Sequence, residues 1–136
     1  MEIKTLIEKA IEAKNFAYVP YSKFRVGAAL LAKNGKVYTG CNIESASYTP
    51  TNCAERTAYF KAISEGVKEF EMIVITSDVD GYTYPCGVCR QVMREFSKEL
   101  RIIIANDVDD YKEYTLEDLF PFGFGPEDLG AKKKEF

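Results

Sequence analysis

The stretch Cys53-Ala54-Glu55-Arg56-Thr57-Ala58-Tyr59-Phe60-Lys61-Ala62-Ile63-Ser64-Glu65-Gly66, followed closely by Phe70-Glu71-Met72-Ile73-Val74-Ile75-Thr76, decides the fold class. Its first part predicts a helix from Cys53 to Glu65, with Asn52 as N-cap and Gly66 as the stop. Its second part is apolar and β-branched, which predicts a strand. The same order recurs at once: a helix from about Cys86 to Lys98 with Pro85 in its first turn, then a short apolar strand from Arg101 to Ala105. Toward the N-terminus, Phe24 to Ala32 and Val37 to Ile43 read as strands joined at Asn34-Gly35, the strongest two-residue hairpin signal. Before them Ile3, Leu6, Ile7, Ala10, Ile11 and Lys14 keep helical spacing up to about Phe16. Toward the C-terminus, Thr115-x-x-Asp118 has the form of a capping box for a short helix ahead of Pro121. The order helix, hairpin, helix, strand, helix, strand predicts an α/β sandwich, a mixed sheet covered by helices.

A chain of 136 residues is the size of one domain, and 46% hydrophobic with 13% aromatic residues excludes a disordered composition. No apolar run approaches the roughly 18 residues of a membrane helix, and Met1-Glu2-Ile3-Lys4 lacks the basic-then-apolar order of a signal peptide. A cytoplasmic location is expected, where thiols stay reduced. A net charge of -3 offers no general attraction to polyanions, so a small molecule is expected as substrate rather than a nucleic acid polymer. Lys132-Lys133-Lys134 reads as a solvated tail.

The chemistry lies in four cysteines and the absence of any histidine. Cys53, Cys86 and Cys89 fall at predicted helix N-termini, where partial positive charge favours the thiolates that a metal needs. Three thiolates hold Zn²⁺ with one position open, and Glu55, two residues from Cys53, is the candidate proton carrier. Two alternatives compete: a thioredoxin-like redox pair at Cys86 and Cys89, and a closed structural zinc with Cys41 as fourth ligand. Strand alternation puts Cys41 with Ile43 on one face and Asn42 with Glu44 on the other, which reads Cys41 as a core residue. Glu55 is also the acidic residue that any helix favours in its first turn. Three thiolates carry excess negative charge, and Arg56, with no acidic neighbour one turn away, is placed to balance it. Arg90, just past Cys89, is a second candidate; a wet helix face is the bland reading of both.

Beyond the metal motif, Pro20-Tyr21-Ser22-Lys23-Phe24-Arg25-Val26-Gly27-Ala28-Ala29-Leu30, Gly40-Cys41-Asn42-Ile43-Glu44-Ser45-Ala46, Cys53-Ala54-Glu55-Arg56-Thr57 and Pro85-Cys86-Gly87-Val88-Cys89-Arg90-Gln91-Val92 together resemble the small homotetrameric cytidine deaminases with three cysteine ligands. The resemblance implies a single catalytic domain over residues 1–136, built as a three-layer sandwich around about five strands. It implies one Zn²⁺ per subunit on Cys53, Cys86 and Cys89, with Glu55 as proton shuttle while zinc-activated hydroxide attacks C4 of the base. The products would be uridine and deoxyuridine with ammonia, a step of pyrimidine salvage. It implies Asn42 and Glu44 as ribose-binding groups, Phe24 as an aromatic contact to the pyrimidine, and the Ala54 carbonyl as acceptor for the exocyclic amine. It implies that Tyr48 and Phe124 complete the pocket of a neighbouring subunit, which would cover the otherwise wet rings of Phe122 and Phe124. Core packing remains the alternative for Phe24, and a wet strand face for Asn42 and Glu44. Blasticidin S deaminases share the ligand pattern, polynucleotide-editing deaminases generally have histidine in place of one cysteine, and a zinc-stabilised binding module would release no ammonia.

Overall fold

Ile3–Lys14 forms helix α1 in the computed structural model, which describes residues 1–131 and residue 134. Its stripe of Leu6, Ile7 and Ala10 is fully buried, as the helical spacing requires. Strands β1 (Val26–Ala32) and β2 (Val37–Cys41) follow, then α2 (Ala54–Ser64), β3 (Phe70–Ser77), α3 (Gly87–Phe96), β4 (Arg101–Asp107), β5 (Asp110–Thr115), α4 (Leu116–Leu119) and α5 (Pro126–Leu129). The strands form one mixed sheet in the order β2-β1-β3-β4-β5. Only β3 and β4 run parallel, and α3 is the crossover between them.

The three central strands are buried on both faces, which explains their nearly continuous apolar sequences. Alternation divides their side chains between two cores. Ala29, Leu31, Met72, Val74, Ile103 and Ala105 meet α1, while Ala28, Leu30, Ile73, Ile75, Ile102 and Ile104 meet the layer that contains Ala58, Ala62 and Met93. The result is the expected three-layer sandwich with five strands.

Local details depart from the sequence reading. The hairpin turn has three residues, since Leu31 pairs with Val37 and the Ala32 N–H donates to the Lys36 carbonyl at 2.9 Å. Gly35 takes φ 90 in it, the left-handed step that such a turn needs. The N-cap of α2 is Cys53, not Asn52, and the N-cap of α3 is Cys86, so Pro85 precedes the helix instead of opening its first turn. Helix α3 stops at Phe96 because Ser97 is extended, short of the expected Lys98. The capping box at Thr115 and Asp118 forms as expected. Strand β5 had no counterpart in the sequence reading: most of its residues are exposed, so no apolar run marks it. Lys132 and Lys133 of the expected solvated tail lie outside the described residues.

Candidate metal centre and active cavity

Helices α2 and α3 begin next to each other, with the Cys53 and Cys86 sulfurs 3.8 Å apart, and the start of α2 is seated by its close approach to β2 at Gly40. A Cβ there would lie 2.3 Å from the Ala54 carbonyl oxygen and 2.6 Å from the Ala58 nitrogen, so only glycine lets the start of α2 seat on the strand. Thr57 fastens the same corner: its hydroxyl donates to the Cys41 carbonyl at 3.0 Å, lies 3.2 Å from the Cys53 carbonyl and accepts from Asn52 Nδ2 at 3.1 Å.

The ligating atoms of Cys53, Cys86 and Cys89 lie within 4.8 Å of one another, and the Cys53 and Cys86 sulfurs are 3.8 Å apart. Zn–S bonds of about 2.3 Å in a tetrahedron set sulfurs about 3.8 Å apart, so the cluster fits that ion. No fourth donor joins it among the described residues. Cys41, the fourth ligand of the closed-site alternative, is half-buried at the end of β2 and outside the cluster; it is not the core residue that alternation predicted, and Ile43 beside it is exposed.

Charge at the sulfurs is arranged around Cys53. The Cys89 thiol donates a hydrogen bond to it, and Arg56 Nη2 donates at 3.3 Å; against the cost of burial, these hold the Cys53 thiol down to about 5. The bond to Cys53, burial and nearby negative charge raise Cys89. Cys86 accepts from the Cys89 N–H at 3.4 Å, an N-cap interaction made by sulfur. Arg56 forms no ion pair with a carboxylate among the described residues, and its Nε is buried without a partner. Arg90 does not share the task assigned to it. Its side chain donates to the Pro85 carbonyl at 2.9 Å and the Leu119 carbonyl at 2.7 Å, so backbone oxygens and not the sulfurs hold its guanidinium.

Glu55 is 4% exposed, and burial, reinforced by the nearby Cys53 sulfur, pushes its carboxyl up to about 7. It lines a cavity of about 190 Å³ with Phe24, Val26, Asn42, Cys53, Ala54, Thr83, Tyr84 and Cys86. The Asn42 amide is braced across this wall, accepting from the Val26 N–H at 2.9 Å and donating to the Phe24 carbonyl at 2.8 Å. Glu44 is not among the lining residues. The Ser22 hydroxyl, together with the Tyr21 and Ser22 N–H groups that donate to Glu44 Oε1 at 3.1 Å each, lowers its carboxyl below the usual range. Tyr48 and Phe124 are exposed and lie outside this cavity. Thr83 and Tyr84 were not singled out from sequence; their signal was adjacency to Pro85-Cys86.

A family model described as the cytidine and deoxycytidylate deaminase zinc-binding region matches residues 1–105. The chain belongs to this zinc deaminase family. A cytidine deaminase of Sporosarcina psychrophila is 48% identical over 130 residues, spanning 95% of this chain and 96% of the relative. One from Halalkalibacterium halodurans is likewise 48% identical over 130 residues, spanning 95% and 98%. The crystal structure of cytidine deaminase from Burkholderia pseudomallei superposes with TM-score 0.87 at 45% identity, covering 91% of this chain and all (100%) of that one. Cytidine deaminase from Mycobacterium tuberculosis gives TM-score 0.80 at 38% identity, with 92% and 98% covered. Zinc is this family's metal, and Cys53, Cys86 and Cys89 are the donors the chain offers it. No helix among the described residues is long and apolar enough to cross a membrane.

Proposed function

We propose that this chain deaminates cytidine and deoxycytidine hydrolytically to uridine and deoxyuridine, releasing ammonia. The observation that carries this is the shared wall: Glu55, buried beside a three-sulfur cluster with an open position, lines one small cavity with the Phe24 ring and the Asn42 amide. Zinc held by Cys53, Cys86 and Cys89 supplies a Lewis acid that makes water a nucleophile near neutral pH.

Every other step belongs to the chain's own groups. Phe24 offers a face to the pyrimidine, and the Ala54 carbonyl accepts from the exocyclic amine. Asn42, braced by β1, and the Glu44 carboxylate take the sugar hydroxyls. Glu55 receives a proton from the attacking water and places it on N3 as C4 becomes tetrahedral; it then takes the remaining proton from the new C4 hydroxyl and passes it to the amino group, so that the C–N bond breaks, ammonia leaves and the C4 carbonyl forms. Arg56 offsets the charge of the thiolates from the outer side of Cys53.

The same reading makes residues 1–136 one catalytic domain, working as a homotetramer in the cytoplasm, in pyrimidine salvage. Tyr48 and Phe124 then belong to the pocket of a neighbouring subunit. Purified protein assayed for loss of cytidine absorbance, ammonia release and zinc content tests the function. Turnover should disappear with the metal on chelation and return with added zinc, and zinc-loaded protein that releases no ammonia from either nucleoside would refute it.

A further inference from the structure

Where the backbone ladder around β1 ends, two side chains take over its last rungs. Val26 pairs with Ser77 at the start of β1, and Asn42 and Asp78 are the residues that immediately follow β2 and β3. Asn42 spans Arg25 from one side: its amide accepts from the Val26 N–H at 2.9 Å and donates to the Phe24 carbonyl at 2.8 Å, the one orientation that satisfies both groups. Asp78 grips Arg25 from the other side. Its Oδ2 accepts from the Arg25 N–H at 3.1 Å and from Nε at 2.9 Å, its Oδ1 accepts from Nη2 at 3.1 Å, and its N–H donates to the Arg25 carbonyl at 3.1 Å. Lys14 of α1 reaches the same carboxylate at 3.3 Å, which ties the clamp to the helix layer. Hydrogen bonds from Arg25, with Lys14 close by, hold the Asp78 carboxyl down to about 2, so the clamp is ionised at neutral pH. Just upstream, Lys23 is left-handed at φ 60, a conformation that residues other than glycine seldom keep unless their surroundings impose it.

We propose that Asp78 is a positioning residue for substrate binding: through Arg25 it fixes residues 24–26 and thereby the Asn42 amide at the cavity wall. This rests on the deaminase reading above, in which Asn42 takes a sugar hydroxyl. An amide already bonded to two backbone groups has one N–H and one lone pair left for a ligand, and their direction follows the backbone to which it is pinned. Without Asp78 the Arg25 N–H and guanidinium lose their partner, the segment is held from one side only, and the amide shifts with it. Asp78 belongs neither to the cavity lining nor to the sulfur cluster, so its effect falls on binding and not on the metal or the proton path.

The test is a double-mutant cycle in KM for cytidine, over wild type, Asp78→Ala, Asn42→Ala and the double variant, with zinc content and melting temperature recorded for each. KM does not depend on how many molecules are folded or metal-loaded, so a purely structural role would lower Tm and activity per chain without moving it. Asp78→Ala should raise KM about two- to tenfold, the scale of one hydrogen bond, with kcat per zinc falling by less. In the Asn42→Ala background the same substitution should leave KM where it is, because the amide it positions is gone. Asp78→Asn keeps an oxygen for the Arg25 N–H while removing the charge, and serves in the same cycle should Asp78→Ala fail to fold; it should raise KM by less. A KM unchanged in both Asp78 variants, or raised by the same factor with and without the Asn42 amide, overturns the proposal. An Asn42→Ala variant with the wild-type KM overturns it too, since the amide then holds no sugar hydroxyl. Wild-type turnover of cytidine is measured first: its absence overturns the deaminase reading and this proposal together, whereas the failures in the cycle leave the reaction standing.

Discussion

Glu55 is buried, where a charged carboxylate is costly, and no cation forms an ion pair with it among the described residues. Such a group keeps its proton to higher pH than an exposed glutamate, which suits an atom that must both take and give one. The side chain is not among the sulfur donors, so shortening it leaves the metal cluster intact. Glu55→Ala should therefore retain zinc, measured by atomic absorption, while turnover falls by about 10²–10⁴-fold or more. Near-normal turnover in the zinc-loaded variant would remove Glu55 from the mechanism. The absence of histidine made this residue legible, because no imidazole competes for the proton. Arg90, one residue past Cys89 and four past Cys86, gives its guanidinium to the Pro85 and Leu119 carbonyls instead, acceptors that spacing along the helix does not reveal.

Gly40 and α2 show how an element can set a site without touching substrate. The strand and the first turn of the helix are in backbone contact, so a side chain at Gly40 must push Ala54 and Ala58 outward and carry Cys53 and Glu55 with them. Gly40→Val should cost about 1–3 kcal/mol as overpacking, read in urea denaturation. Its kcat should fall further than the unfolded fraction explains; stability lost with unchanged kcat would show that the corner is only structural. Helix α1 was legible from its 3.6-residue apolar period, and β1, β3 and β4 from apolar runs that burial on both faces requires; the short α5 was not. Strand β5 was not, since an exposed edge carries no such period and is recruited by its partner β4. The caps slipped by one residue because Asn52 is a better capping residue than Cys53 in isolation, yet its backbone is engaged in a bridge with Ile43. Residues 53, 86 and 89 met in space as their spacing implied, whereas the wall residues Thr83 and Tyr84 depended on a loop path that only the finished sheet defines.

At the scale of the whole molecule, the outer surface carries features that a single chain does not explain. Tyr48 and Phe122 have φ of 63 and 58, a left-handed conformation that costs an ordinary residue about 1–2 kcal/mol, and both hold their rings in water. A groove between α2 and α3, lined by Phe60, Ile63, Val88, Val92 and Phe96, adds further exposed apolar surface. Strain and exposure that yield nothing in the monomer are offset if neighbouring chains cover them, and a strained residue that projects an aromatic ring suits a contact to another site. The C-terminal segment is also held from within: Arg94 pairs with Glu127, and Gln91 Nε2 donates to the Phe124 carbonyl at 2.8 Å, so Phe124 is presented on a braced backbone. If Tyr48 and Phe124 complete a neighbour's pocket, activity belongs to the assembly and not to the chain. Sedimentation velocity across a dilution series, with turnover measured at each concentration, should then show specific activity per chain falling in step with the associated fraction. Phe124→Ala should raise KM for cytidine while the zinc content of each chain stays constant. A dilute monomer with undiminished turnover would assign these aromatic residues to some other contact and leave each cavity complete on its own.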